Sequence, residues 1–306
     1  MTEPQGMTPG IYNGTEMTVL QGNDPGSYCV GTIAMCTRDN VSAQTAISWM
    51  MDDRMSYLKP GQFALRYIVQ GNVLTFQRNQ CVRDMDGEWL LFIDSDMVFQ
   101  PKAIMDIIAT REKYDFDMLG GLCHQRMAPY QPTLYRETPD GTGYTFIEQW
   151  EDGAAVEVDG TGMAFCIIHK RVFDRILQKN TGQGLPPLET RRRMPPPPFF
   201  RWDGGFGEDF DFCQRAKDTG SRIYVDTTIE IGHVGHHTID RETFLREIAF
   251  RTDEAQAFRA KQLADIGERA LTRDEALDEL EKRTGDKTGL VSLPSDGMSE
   301  DEDSNG

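Results

Sequence analysis

Positive charge is scarce: 32 lysines and arginines face 49 aspartates and glutamates, leaving a formal net charge of −17. So acidic a chain repels nucleic-acid backbones and anionic membrane surfaces, which excludes nucleic acid as a partner. Long apolar runs are also missing. No stretch approaches the roughly 18 consecutive apolar residues that a membrane span requires, and the N-terminus lacks a basic-then-apolar layout, so a cytoplasmic protein is expected. Neither Gly-x-Gly-x-x-Gly nor Gly-x-x-x-x-Gly-Lys-Ser/Thr stands at the first strand-to-helix turn, which disfavours dinucleotide enzymes and P-loop NTPases. The six cysteines (Cys29, Cys36, Cys81, Cys123, Cys166, Cys213) are scattered singly without Cys-x-x-Cys spacing. They read as reduced core residues rather than a disulfide frame or a zinc site.

What remains is the patterning of a single α/β domain with appendages in 306 residues. Residues 1–27 are rich in Gly, Pro, Thr and Asn and read as a flexible arm. Tyr28 to Thr37 reads as a buried strand ending in the polar turn Thr37-Arg38-Asp39-Asn40, followed by a helix from about Ser42 with Ala46, Trp49 and Met50 inward. A second strand over Phe63 to Gln70 leads into a helix carrying Leu74, Phe76, Arg78, Asn79, Cys81 and Val82. The third is Trp89-Leu90-Leu91-Phe92-Ile93, apolar without interruption as a strand buried on both faces must be. This βαβαβ order predicts a mostly parallel sheet with a ligand crevice at the carboxyl ends of its strands.

At that edge the third strand breaks into Asp94-Ser95-Asp96. Asp-x-Asp alone is weak, since the chain contains five such pairs (Asp84–Asp86, Asp94–Asp96, Asp115–Asp117, Asp209–Asp211, Asp301–Asp303). Only the second follows a buried-strand signature and precedes a helix start, at Pro101. There the carboxylates are free to meet a divalent cation and, through it, a diphosphate. The bland alternative is a capped turn.

Beyond a strand at Met118 to Cys123, residues 124–160 alternate in short runs that suggest hairpins. Gly160-Thr161-Gly162 opens another strand, Met163 to His169, with a helix after it. The segment from Asn180 to Pro198, with four successive prolines, is long enough to suggest a lid. Trp202-Asp203-Gly204-Gly205 leads through Gly207-Glu208-Asp209 into a helix with Cys213, and His233 stands just past a last strand at Ile223 to Val225. From Asp240 to about Arg283 the pattern is helical and charged, docking a thin apolar stripe on the domain or on a second subunit, which leaves a homo-oligomer through these helices open. Residues 295–306 are acidic and read as disordered.

The ordered set of parts, from the Thr-Arg-Asp turn through the Gln77-Arg78-Asn79 helix, Asp94-Ser95-Asp96, Gly160-Thr161-Gly162 and Gly207-Glu208-Asp209 to His233, resembles the GT-A glycosyltransferases, especially family 2-like enzymes including bacteriophage-encoded ones. The resemblance spans about residues 28–238. It implies a GT-A domain over 28–238 (Rossmann-like, a mostly parallel sheet with helices on both faces); the arm over 1–27, a C-terminal helical extension over 239–284 and an acidic disordered tail over 285–306 fall outside it. It further implies transfer of a sugar, of hexosyl type, from a UDP- or GDP-linked donor to an acceptor hydroxyl on a protein or glycan. A virion protein acted on in the host cytoplasm would suit a phage enzyme.

Under that resemblance Asp96 and His233 hold Mn²⁺ or Mg²⁺, with Asp94 either joining them or reaching the ribose. The imidazole favours Mn²⁺. Thr37, Arg38, Asp39, Gln70, Arg78 and Ser95 line the nucleotide-sugar pocket, with Arg78 contacting nucleotide or diphosphate or else standing on a solvated face. Asp209 is the candidate general base, with Glu208 able to take that role, unless both merely cap a helix. Trp202, Gly204 and Gly205 face the acceptor, Trp202 being either a sugar platform or core. An inverting outcome uses Asp209 as base; a retaining one, kept open by Gly204-Gly205 and His233, makes it an acceptor-positioning group. The competing readings are a metal-dependent nucleotidyltransferase or phosphohydrolase, and a sugar-nucleotide-binding module without turnover.

Overall fold

A computed structural model describes residues 9–12, 15–18, 28–38, 40–52, 58–59, 61–150, 153, 155–202, 207–235 and 238–285. Most of the proposed N-terminal arm, the acidic tail after 285, and the candidate residues Asp39, Gly204 and Gly205 lie outside this set. In chain order the elements begin with a short hairpin, β1 (Pro9–Tyr12) and β2 (Thr15–Thr18). Then come β3 (Tyr28–Thr37), α1 (Ala43–Met51), β4 (Gln62–Gln70), α2 (Leu74–Asp84), β5 (Trp89–Asp94), β6 (Met97–Val98), α3 (Ala103–Tyr114) and β7 (Met118–Leu122). Next are β8 (Tyr135–Glu137), β9 (Tyr144–Phe146), β10 (Ala155–Val158), β11 (Phe165–His169), α4 (Lys170–Thr181), α5 (Leu188–Arg191) and α6 (Glu208–Lys217). The chain closes with β12 (Ile223–Glu230), β13 (Gly232–Val234), β14 (Thr238–Ile239), α7 (Arg241–Phe250), α8 (Asp253–Ala264) and α9 (Arg273–Thr284).

The central sheet runs β10-β12-β7-β11-β5-β3-β4. Pairing is parallel at β4–β3, β3–β5 and β7–β12, and antiparallel at both sides of β11 and at β10. Five of the seven strands therefore run one way, giving the mostly parallel α/β sheet expected. The reversed β11 was not foreseen. It lies between β5 and β7 and separates two parallel groups.

Strand β5 is buried on both faces, and its alternation shows why an unbroken apolar run was required. Leu90 and Phe92 join one core with Cys81 and Val82 of α2, Phe173 of α4 and Phe212 of α6. Trp89, Leu91 and Ile93 join the opposite core with Ile104, Ile107 and Ile108 of α3, against which Trp49 of α1 packs. Helices thus cover both faces. Gly87, at φ 80, turns the chain into β5, and the Trp89 ring lies so close over Gly31 of β3 that an added Cβ would stand 2.1 Å from it. Only glycine fits beneath that ring.

Several expectations need correction. Met50 does not face the core: it is 83% exposed, and Thr45 and Ser48 are the buried residues of α1. Leu74 and Phe76 at the start of α2 are exposed, while Gln77, Arg78, Asn79 and Gln80 are buried with Cys81 and Val82. β8 and β9 form the one hairpin seen in 124–160 among the described residues, and β10 instead adds to the central sheet. Nor is 180–198 a free lid. Arg191 is buried and donates to the carbonyls of Arg83, Pro186 and Met85, and Phe199 and Phe200 are core residues.

The helical extension packs on its own chain. Phe244, Leu245 and Ile248 of α7 form a third core with Leu271 and with Ala276 and Leu280 of α9. The α7–α8 junction is fastened by Glu148, whose carboxylate accepts from Arg251 at 3.1 Å and Arg259 at 2.8 Å. Phe258 of α8 is exposed.

Candidate active site

Past β5 the backbone turns through Ser95 and Asp96 into β6, which pairs antiparallel with β13, placing His233 opposite Met97. The amide of Val234 donates to the Asp96 carbonyl at 2.8 Å. This small sheet, completed by β14, is what brings two residues 137 positions apart together: His233 Nε2 lies 3.1 Å from Asp96 Oδ2. On the other side of the ring, His233 Nδ1 lies 3.0 Å from the carbonyl of His124. A carbonyl can only accept, so Nδ1 carries a proton and Nε2 turns toward the carboxylate. Two acceptors at that separation need a proton or a cation between them.

The proton has a clear energetic basis. Burial opposes the imidazolium, but the hydrogen bond and charge of Asp96 outweigh it and raise the His233 pKa. Conversely burial raises Asp96, yet His233 and then Arg126 hold its carboxyl below the usual range. Arg126, whose Nη1 lies 3.0 Å from the same Asp96 oxygen, was not foreseen in the sequence. Nothing in its local pattern, a polar loop after β7, distinguishes it from a solvated arginine.

A second cluster forms around Arg78. The residue is 1% exposed, one turn into α2, and its guanidinium meets three carboxylates. Nη1 donates to Glu208 at 2.8 Å and to Asp209, and Nη2 lies 3.3 Å from Asp94. The solvated-face alternative is therefore overturned. Burial alone would lower the Arg78 pKa, but Asp209, Asp94 and Glu208 raise it, so the cation is permanent. Burial, then Asp209, raises Glu208 despite Arg78. Burial likewise raises Asp94, with Arg78 opposing and Asp209 and Asp96 reinforcing the rise.

Glu208 and Asp209 are not simply caps. Gly207 occupies the N-cap of α6 and makes no side-chain cap hydrogen bond, while both acids turn toward Arg78 from the first turn, where the helix dipole also favours them. Asp209 additionally approaches the amide of Met163 at 3.4 Å, beside Gly162. Asn79, next to Arg78, fixes the approach to α6 by exchanging hydrogen bonds with Phe200 at 2.8 and 2.7 Å. Trp202, just beyond, is 76% exposed and so is not core.

The remaining candidates spread along the strand ends. Thr37 is buried and its hydroxyl donates to the Asn40 carbonyl, while its own carbonyl accepts from Gln77. Gln70 pairs with Thr37 at the adjacent strand end and is exposed, as is Arg38. Ser95 contributes its carbonyl to the amide of Ser42.

The donor set suits a divalent ion only in part. Among the described residues no group of three or more His, Cys, Asp and Glu side chains gathers as a metal cage. Asp94, proposed as a possible third ligand, is held by Arg78 instead. One carboxylate and one oriented imidazole remain, an oxygen and a nitrogen donor of the kind that divalent ions accept.

No protein-family model matches the chain, and no curated protein does. Among solved structures, A197 from STIV aligns at 16% identity over 67% of this chain and 85% of that one, with a TM-score of 0.37. S. aureus TarS 1-349 in complex with UDP-GlcNAc aligns at 15% identity over 82% and 70%, with a TM-score of 0.41. GalNAc-T7 with UDP, GalNAc and Mn2+ aligns at 11% identity over 85% of this chain and 55% of that one, with a TM-score of 0.44.

Proposed function

We propose that the chain is a glycosyltransferase of GT-A type that uses a nucleotide-diphosphate sugar and a divalent ion, Mn²⁺ by preference, to glycosylate an acceptor hydroxyl on a protein or glycan. The carrying observation is the Asp96–His233 pair at the carboxyl edge of β5, set beside the Arg78-centred carboxylates. A sugar nucleotide needs both: a place for the diphosphate's charge and a place for the acceptor's proton. Asp96 and His233 would hold the ion, which would supply Lewis-acid neutralisation of the charge on a departing phosphate oxygen.

The chain's own residues do the rest. Thr37, Arg38, Gln70 and Ser95 form the strand-end rim on which the nucleoside is held, and Asp39, outside the described residues, is assigned to the same pocket from the sequence alone. Arg78 fixes Asp94, Glu208 and Asp209 in one arrangement, rather than meeting the diphosphate itself. Asp209, the more exposed of the two adjacent acids, orients the acceptor hydroxyl and takes its proton in an inverting reaction. In a retaining one it only positions the acceptor. Trp202 offers an exposed ring to an acceptor sugar or peptide.

The test is incubation with Mn²⁺ and a panel of UDP- and GDP-sugars while free nucleotide is followed. Release of UDP or GDP, increased by an acceptor, is expected. Release of pyrophosphate or monophosphate would move the chain to the nucleotidyltransferase or phosphohydrolase reading, and binding without release would make it a non-catalytic module.

A further inference from the structure

We propose that Arg126 is a built-in cation that occupies Asp96 until a divalent ion takes that oxygen, and then turns to the diphosphate. Three observations carry this. Arg126 Nη1 and His233 Nε2 converge on one oxygen, Asp96 Oδ2, at 3.0 and 3.1 Å. An ion bonded to that oxygen and to Nε2 would need the space and the negative charge that the guanidinium now uses. The two cations therefore compete.

The second observation is mechanical. The loop bearing Arg126 is stitched at its base, with the Gln125 amide donating to the Gln131 carbonyl at 2.8 Å and the Thr133 amide to Cys123 at 2.9 Å, and inside it the Tyr130 amide donates to Met127 at 2.9 Å. Its backbone is anchored while its side chain is 58% exposed, so the guanidinium can swing without moving the loop. Third, the contrast with Arg78 is sharp: that guanidinium is buried under three carboxylates and has no freedom to meet a ligand. Among the described residues, Arg126 is the cation on Asp96 with an exposed side chain. A guanidinium matches two phosphate oxygens at once, and an exposed one loses little by exchanging a single carboxylate contact for them.

This rests on the glycosyltransferase reading for the identity of the diphosphate, but not for the competition at Asp96. The experiment titrates wild type, Arg126→Gln and Arg126→Lys first with Mn²⁺ alone and then with UDP and GDP at saturating Mn²⁺, using calorimetry. Removing the competing cation is expected to tighten Mn²⁺ binding in Arg126→Gln by about 2- to 5-fold, the worth of a part-exposed ion pair. Nucleotide binding by the same variant is expected to weaken by about 10- to 100-fold, as for lost charge-assisted hydrogen bonds. Arg126→Lys should keep wild-type Mn²⁺ affinity and recover only part of the nucleotide affinity, because an ammonium cannot bridge two oxygens. Arg126→Gln matching the wild type in either titration would overturn the inference. A wild type that binds Mn²⁺ but neither nucleotide would remove the diphosphate reading and this role with it, leaving the Mn²⁺ comparison to decide the competition. A wild type that binds neither ion nor nucleotide would overturn both.

Discussion

His233 stands 3.1 Å from Asp96 because β13 pairs with β6, and its other ring nitrogen is already committed to the His124 carbonyl. Such an imidazole is presented to a cation with its orientation fixed in advance. Replacing His233 by Ala, or Asp96 by Asn, should weaken Mn²⁺-dependent nucleotide binding by about 10- to 100-fold. Thermal shift with UDP and GDP, with and without Mn²⁺, checks this: the metal-dependent part of the shift, taken relative to each variant's own unliganded melting temperature, should vanish in both variants. Persistence of the full shift in Asp96→Asn would remove this residue from the site.

Arg78 should matter to stability more than any other side chain of the site. It is buried, and three carboxylates depend on it for charge balance. Breaking such a group by removing one partner costs about 3–5 kcal/mol. Arg78→Met should therefore shift the urea midpoint strongly downward, and Arg78→Lys should fail to restore it, since an ammonium cannot divide itself among three acids in this geometry. A midpoint within experimental scatter of wild type for Arg78→Met would show that the carboxylates are neutralised in another way.

Asp209→Asn separates binding from chemistry. The amide keeps the shape that faces Arg78 and Met163 but cannot take a proton, so metal-dependent nucleotide binding should survive while transfer falls by about 10²- to 10⁴-fold. Glu208→Gln makes the matching comparison, because burial and Asp209 already raise the Glu208 pKa and favour its neutral form. Single-turnover measurements with radiolabelled donor would assign the base to whichever variant loses transfer alone.

How far these features could be read in advance depended on whether the signal was periodic or spatial. The β5 run was legible because a strand buried on both faces must be apolar at every position, and Asp94 marked its end. The order of motifs carried Glu208, Asp209 and His233. The buried polar face of α2 is not legible in the sequence, since Gln77, Arg78 and Asn79 look like a solvated stripe until their partners, Thr37, the carboxylates and Phe200, arrive from 16 to 131 residues away. Arg126 was missed for the same reason. Its meaning lies in a contact with Asp96 that no spacing encodes.

Acid should destabilise the fold through two histidines held neutral. Burial, then Arg241 and Arg283, lower His124 to about 3, and burial, then Arg111 and Arg171, lower His169 to about 4. His169 needs its lone pair, because Nδ1 accepts from the Arg171 amide as the N-cap of α4. Both folded values lie below the ordinary 6.5. As pH falls below 6.5 the unfolded chain gains protons that the folded chain refuses, so stability present above that value is lost progressively toward pH 4. The slope is about 1.4 kcal/mol per pH unit for buried His124 and smaller for half-buried His169. His233 has the opposite sign: its raised value contributes fully below 6.5 and is lost as pH rises. Urea midpoints between pH 6.5 and 5 should fall steadily, and His169→Asn, which keeps a good cap, should flatten that slope.

The helical extension should prove to be part of the same folded unit and not a dimer arm. Glu148 is fully buried, and one of its oxygens accepts from Gln131, Arg251 and Arg259, the last of which also donates to the Phe146 carbonyl at 2.9 Å. These contacts tie α8 and the end of α7 to the β8–β9 hairpin within one chain. Glu148→Ala would leave two guanidiniums buried against each other with no counter-charge, a loss of about 3–5 kcal/mol. Limited proteolysis should then cut between 241 and 284 at urea concentrations where the wild type is intact. The wild-type midpoint should not depend on protein concentration, because mass action enters only when stability comes from a second subunit. A midpoint that rises with concentration would instead assign these helices to an intersubunit contact.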